Sequence, residues 1–286
     1  MSIFRKQVGT GIGNSNVSSS IGGNRSRVGG TLILALLLAG FSYFKYCSTK
    51  SFNEYTGNYQ HVGISPEQEI ALGLNSAPAM MQQHGGLHAD QRGQDLVKRI
   101  GQRLVQNTIA QKTPYSYDFH LLADEEVINA FALPGGQVFI TAALFNKLKN
   151  EDQLAGVFGH EIGHVIARHG GERITQNEFF EGLSGAAVVA TGDANTGQSV
   201  AAMLNQFFSM PYGRDQELQS DDIGVRLMLD AGYNPEEMIG VMEILKTASG
   251  PNRTPERLST HPDPENRIEK IKEAIQKYKS QSPVQQ

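Results

Sequence analysis

The chain has 286 residues, enough for one sizeable core and one or two domains. Its 25 Lys and Arg against 29 Asp and Glu give a net charge of -4, and no long basic tract follows the first fifty residues. That excludes a polyanion-binding protein, so no nucleic-acid partner is expected. Cys47 is the single cysteine, which excludes an internal disulfide framework or a cysteine-rich metal cluster; a metal must be held by histidine and carboxylate.

Residues 1–27 are rich in Gly, Ser and Asn, carry no Asp or Glu, and read as a disordered leader. Residues 28–44 carry no charge and lie at the short end of what spans a bilayer. Signal-peptide cleavage needs small residues after the apolar run, but Phe41, Tyr43, Phe44 and Tyr46 stand there and read as an interfacial belt. Residues 28–46 are therefore expected to be one uncleaved transmembrane anchor. Arg5, Lys6, Arg25 and Arg27 precede it and Lys45 and Lys50 follow it, a bias that puts the N-terminus in the cytoplasm and the main domain outside. Cys47 lacks the small residues of a lipidation motif before it.

A polar linker over residues 47–64 leads to a domain over 65–280 and a short tail, 281–286. Ser65, Pro66 and Gln68 read as an N-cap, a first-turn proline and a capping-box partner opening a helix. A second helix is predicted over 90–110, where Leu96, Ile100, Leu104 and Ile109 recur near helical spacing. Residues 115–122, YSYDFHLL, read as a strand. In NAFALPGGQVFIT two extended pieces meet at Pro134, Gly135 and Gly136, which gives a small antiparallel sheet. Beyond Ala142 the pattern is mainly helical. Asn150 caps a helix with Glu151 and Asp152 in its first turn, predicted to end at Gly170 and Gly171. Further helices are predicted over 172–190, 200–209, 214–230, 235–248 and 264–278, with a loop over 191–198.

In the helix from Glu151, GVFGHEIGHVIARHG sets His160 and His164 at i and i+4, spaced to offer both imidazoles to one ion. Glu161 reaches the ion's open side without occupying it. This is the HExxH pattern of zinc peptidases, whose Glu takes a proton from the water that attacks the peptide carbonyl. His169 is out of phase with His164 and is assigned as a helix C-terminal charge. Catalytic zinc usually has three protein ligands. The best third candidate is Glu217 in YGRDQELQSDDIGVRLM, with Asp221 one turn later to accept the free N–H of a ligating histidine. Glu172, Glu178 and Glu181 compete, but each is so near His164 that the chain would have to fold back at once.

At these residues the chain resembles the HExxH gluzincins that include the CAAX prenyl proteases, HtpX and the periplasmic BepA and LoiP proteases. The likeness runs from Ser65 to the last helix through four landmarks: NAFALPGG, HEIGH, RDQELQSD and STHPDPENR. It implies an α+β fold, a mainly helical zincin-like domain with a small antiparallel sheet, here preceded by one transmembrane helix. It implies zinc held by His160, His164 and Glu217, with Glu161 as base and Asp221 behind a ligand. Where the family often has Glu-Ala, Gln219 and Ser220 stand here. The several spans of the prenyl proteases and HtpX are missing, so single-anchor or soluble members are the nearer comparison.

His261 has two expected roles: an oxyanion donor opposite Glu161, or a fourth ligand that holds the enzyme latent. Pro134, Gly135 and Gly136, followed by QVFIT, resemble the family's edge strand, which would bind extended polypeptide substrate by strand addition. The function expected is a membrane-tethered zinc endopeptidase acting on damaged or misassembled envelope proteins. The competing class is a zinc-stabilised chaperone or scaffold with a vestigial peptidase. Glu161 favours the first, because a closed structural site has no use for a base. The sequence specifies no oligomeric state.

Overall fold

The computed structural model describes residues 24–106, 108–191, 211–248, 257, 260–261 and 266–281. Helix α1 (Asn24–Ser48) contains a stretch, Gly29–Ser48, long and apolar enough to cross a membrane. Its large side chains, among them Leu36, Leu37 and Phe41, are exposed. The segment read as a polar linker is instead an antiparallel hairpin, β1 (Lys50–Asn53) and β2 (Asn58–His61). Its polar residues stitch the hairpin rather than solvate it. Asn53 Oδ1 accepts from the Tyr55 and Thr56 amides, and its Nδ2 donates to Ile166 O at 2.9 Å.

Helix α2 (Pro66–Gln83) opens with the expected capping box, Ser65 N donating to Gln68 Oε1 at 2.8 Å and Gln68 N to Ser65 Oγ at 3.3 Å. Helix α3 (Gln91–Gln106) buries Val97, Ile100 and Leu104. It stops short of the expected 110, and Thr108 caps a separate turn of 3-10 helix, Ile109–Lys112.

Strands β3 (Asp118–Leu122), β4 (Ala130–Ala132) and β5 (Gln137–Thr141) form one sheet in the order β3-β5-β4. β4 and β5 pair antiparallel through the Pro134 turn, as expected. β3 pairs with β5 in parallel, so the sheet is mixed rather than antiparallel. The long connection between β3 and β5 permits that, and local turn chemistry does not reveal it.

Helices α4 (Ala142–Phe145), α5 (Glu151–Ile166), α6 (His169–Thr191), α7 (Arg214–Asp230), α8 (Glu237–Ala248) and α9 (Arg267–Gln281) follow. The helix expected over 200–209 lies outside the described residues, as does the loop expected over 191–198 apart from Thr191, which ends α6. Asn150 Oδ1 accepts from Gln153 N at 2.8 Å and starts α5 as predicted. The helix ends four residues before its glycines. Arg168 takes a positive φ of 59°, held by Glu69 Oε2 at 2.9 Å and Ile64 O at 2.6 Å. Gly170 and Gly171 serve packing: a Cβ on Gly171 would stand 2.5 Å from Glu69 Oε1, and one on Gly170 3.1 Å from Pro134 Cγ.

Packing of α5 against α7 positions the site. At the crossing Gly159 and Gly163 face Gly224 and Ser220, and a Cβ on Gly163 would come 2.8 Å from Ser220 O. The two backbones therefore approach closely enough for side chains of α7 to reach His160 and His164. Phe119 of β3 and Phe158 of α5, ring centroids 5.2 Å apart, join the sheet to that helix in the main core.

Candidate active site

The helical spacing that sets His160 and His164 on one side of α5 brings their Nε2 atoms to 3.0 Å. Glu217, in the first turn of α7, places Oε1 3.3 Å from His164 Nε2 and Oε2 3.4 Å from His160 Nε2. His261 adds Nδ1, 2.9 Å from Glu217 Oε1 and 3.2 Å from His160 Nε2. One donor atom from each of the four residues lies within 4.8 Å of the others. His160, His164, Glu217 and His261 are each no more than 2 % exposed, so the group is shut off from solvent.

The donor set fits a metal cation. Glu217 Oε2 lies 3.2 Å from Arg267 Nη1 and 3.4 Å from His160 Nε2, yet makes a hydrogen bond with neither. A buried carboxylate oxygen without an aligned donor is costly. A cation among these atoms removes that cost, and two imidazoles with a carboxylate suit zinc. Burial alone would raise the Glu217 carboxyl, but the facing His261 and His160 outweigh it and hold it well below the usual carboxylate range.

Tautomers follow from the partners on the far side of each ring. His160 Nδ1 donates to Asp221 Oδ1 at 2.7 Å, which turns its Nε2 lone pair into the cluster. Asp221 is gripped in turn by Arg267, Nε to Oδ2 at 2.6 Å and Nη2 to Oδ1 at 2.9 Å. That guanidinium and His160 outweigh burial and hold the Asp221 carboxyl below its usual value.

His164 uses a residue given a different role above. Its Nδ1 lies 2.9 Å from Nδ1 of His169, whose Nε2 lies 2.8 Å from Gln219 Oε1. His169 opens α6 and is buried, so it is not a helix C-terminal charge. Burial pushes its imidazole down to about 4, leaving a neutral ring that donates to Gln219 and accepts from His164. Ser220 Oγ, 3.3 Å from His169 Nδ1, completes that contact. Gln219 and Ser220 both touch His169. Tyr212 stacks on His164 with centroids 3.9 Å apart, and Arg173 lies over the Tyr212 ring.

Glu161 points beside the cluster, but Arg257 Nη1 pairs with its Oε1 at 2.5 Å and also donates to Ala130 O of β4 at 2.8 Å. The Arg257 amide donates to Ile128 O, so Arg257 reaches the sheet edge as well as the base. His261 Nε2 is 3.8 Å from Glu161 Oε1. Arg257 carried no motif, and Arg267 was marked only by its place at the end of STHPDPENR.

Pro134, Gly135 and Gly136, expected to present substrate, are buried against α2: a Cβ on Gly135 would lie 2.4 Å from Ile70 Cα. β5, QVFIT, is the central strand and is paired on both sides; the open edge of the sheet is β4. Among the competing carboxylates, Glu172 accepts from Gln216 at 2.7 Å and Glu178 pairs with Lys45 at 2.8 Å, away from the cluster. A separate cavity of about 710 Å³ between the β1–β2 hairpin and α7 meets the site, among the described residues, at His169 and Gln219.

Two histidines one turn apart, a carboxylate facing them from a second helix and a glutamate between them define the site of an HExxH metallopeptidase. The chain belongs to peptidase family M48, whose model matches residues 91–275. It is 34% identical over 154 residues to the mitochondrial metalloendopeptidase OMA1 of Arabidopsis thaliana, covering 54% of this chain and 31% of that protein. It is 32% identical over 183 residues to the beta-barrel assembly-enhancing protease of Escherichia coli, covering 60% of this chain and 37% of that protein. With the OMA1 of Schizosaccharomyces pombe it shares 32% identity over 179 residues, 62% of this chain and 51% of that protein. The chain thus spans about a third to a half of the length of these curated relatives.

Proposed function

We propose that the chain is a zinc-dependent metalloendopeptidase, tethered to a membrane by α1, that hydrolyses peptide bonds in damaged or misassembled polypeptides of the cell envelope. Residues 65–280 form its peptidase domain, on the extracytoplasmic side. The observation that carries the reading is the convergence of His160, His164 and Glu217 next to Glu161. Zinc supplies a Lewis acid beside the scissile carbonyl when bound. Asp221 and His169 hold the two imidazoles in the tautomers that offer Nε2 inward. Glu161 takes the proton of the attacking water on its carboxylate and passes it to the leaving amine.

The arrangement described is a resting one. His261 supplies a fourth donor where water would stand, and Arg257 neutralises the base and covers Ala130 O of β4 and Ile128 O just before that strand. Withdrawal of Arg257 and His261 frees Glu161 and exposes two carbonyls that an extended substrate can pair with. His261 then donates to the developing oxyanion. The scaffold reading is favoured by one feature, the closed set of four donors, but it leaves the buried Glu161 without a task.

Metal analysis of the purified full chain tests the proposal. About one zinc per chain is expected, as a single three-ligand site requires, and Glu217→Ala should lose it. Undiminished zinc in Glu217→Ala would remove the carboxylate from the site.

A further inference from the structure

Helix α6 leaves the catalytic centre at His169 and runs to the membrane helix. Lys45 pairs with Glu178 at 2.8 Å, Tyr46 meets Phe179 with ring centroids 4.9 Å apart, and Ser42 abuts Gly182, where a Cβ would lie 2.3 Å from its Oγ. Residue numbers rise along α6 as they fall along α1, so the two helices are antiparallel. The contact continues into the apolar run. Ala35 is 7% exposed while its neighbours Leu34 and Leu36 are 49% and 65% exposed, and Ala186 of α6 is 4% exposed. Ala35, Ala39, Ser42 and Tyr46 recur at helical spacing and are the less exposed side of α1. Small side chains on both helices permit this close approach, the usual means of pairing where lipid, not water, is the solvent.

We propose that the C-terminal half of α6 enters the bilayer beside α1, so that two apposed helices, not one tether, seat the domain on a lipid surface. The inference rests on the reading of α1 as a membrane span. After Glu181 the sequence GLSGAAVVATG has no charged residue up to Gly192. That stretch of α6 rises about 15 Å, half of a hydrocarbon core about 30 Å thick, so it enters without crossing. The Lys45–Glu178 pair then lies at headgroup level. His169 is ten residues before Phe179 on the same helix, which fixes the catalytic centre about 15 Å above that level. Substrate segments close to the membrane surface are the ones within its reach.

The chain has no tryptophan, so single-tryptophan variants of the full protein report depth directly. Leu37→Trp marks α1, and Gly185→Trp marks α6 at a position with open space for a side chain. In vesicles of phosphatidylcholine and phosphatidylglycerol, lipids brominated at mid-chain should remove most of the emission at both positions, while aqueous iodide removes little. Phe180→Trp, an aromatic exchange at an exposed site, should be quenched by lipids brominated near the headgroup, and covers the case that Gly185→Trp fails to fold. Quenching of Leu37→Trp with iodide access at the α6 positions would overturn the inference alone. Iodide access at Leu37→Trp would overturn the tether, and with it the inference.

Discussion

At the scale of single residues, the site depends on which nitrogen each histidine turns inward, and His169 decides that for His164. His169→Leu fills the space but removes the acceptor, so zinc affinity should fall about 10–100-fold, the usual loss when such a partner is removed. His169→Asn, which can place an oxygen where Nδ1 stood, should recover much of it. Competition with a chelating dye measures both; equal affinities in the two variants would make the contact incidental. His261→Ala separates the two roles given to that residue. Loss of the resting cap should raise basal turnover and weaken zinc binding together, whereas loss of an oxyanion donor alone should cut turnover about 10²–10³-fold at unchanged affinity. His160, Glu161 and His164 were legible in the sequence because helical periodicity alone sets two imidazoles one turn apart. Arg257 and His169 were not, since their partners sit 96 and 5 residues away and the second contact exists only because the chain turns at Arg168.

At the scale of elements, the α5–α7 crossing is the joint on which the metal-binding group is assembled. Gly163→Ala places a methyl group against the Ser220 carbonyl, a backbone atom that cannot swing away. Overpacking of this kind costs about 1–3 kcal/mol. Because the displaced helix carries Glu217 and Asp221, zinc affinity should drop as well as thermal stability. A variant that melts early but binds zinc as tightly as the parent would mean that the crossing is not the joint. The capped starts of α2 and α5 and the whole of α7 were readable from local signals, since an N-cap acts within four residues. Parallel pairing of β3 with β5 was not, because it is settled by packing on α3 and α5 rather than by a turn. The β1–β2 hairpin was hidden for a related reason: its strands are short and polar, and side-chain bonds such as Asn53 to Ile166 O hold it in place.

For the whole molecule, two stabilities are linked to the site. On the proposed reading the folded chain holds zinc, so a chelator should lower the melting temperature, by the equivalent of about 4 kcal/mol if free zinc stood near 1,000 times its dissociation constant. In the chelated chain Glu217 and Asp221 are held below their ordinary values of 4.5 and 3.8. A depressed carboxylate stabilises the fold above its ordinary value and ceases to do so as pH falls through the folded value. Melting temperatures of the metal-free chain should therefore fall from pH 4.5 downward, and Asp221→Asn should flatten that dependence. The N-terminus bears on the tether: mass spectrometry should find residues 28–46 uncut, and a mature start near Phe41 would turn the anchor into a signal peptide. Turnover of an unfolded protein such as casein by zinc-loaded wild type and zinc-loaded Glu161→Gln, compared side by side, tests the catalytic assignment most directly. The variant keeps its metal and loses at least two to four orders of magnitude of activity if Glu161 is the base. Undiminished hydrolysis by a Glu161→Gln chain with its zinc in place would contradict that assignment.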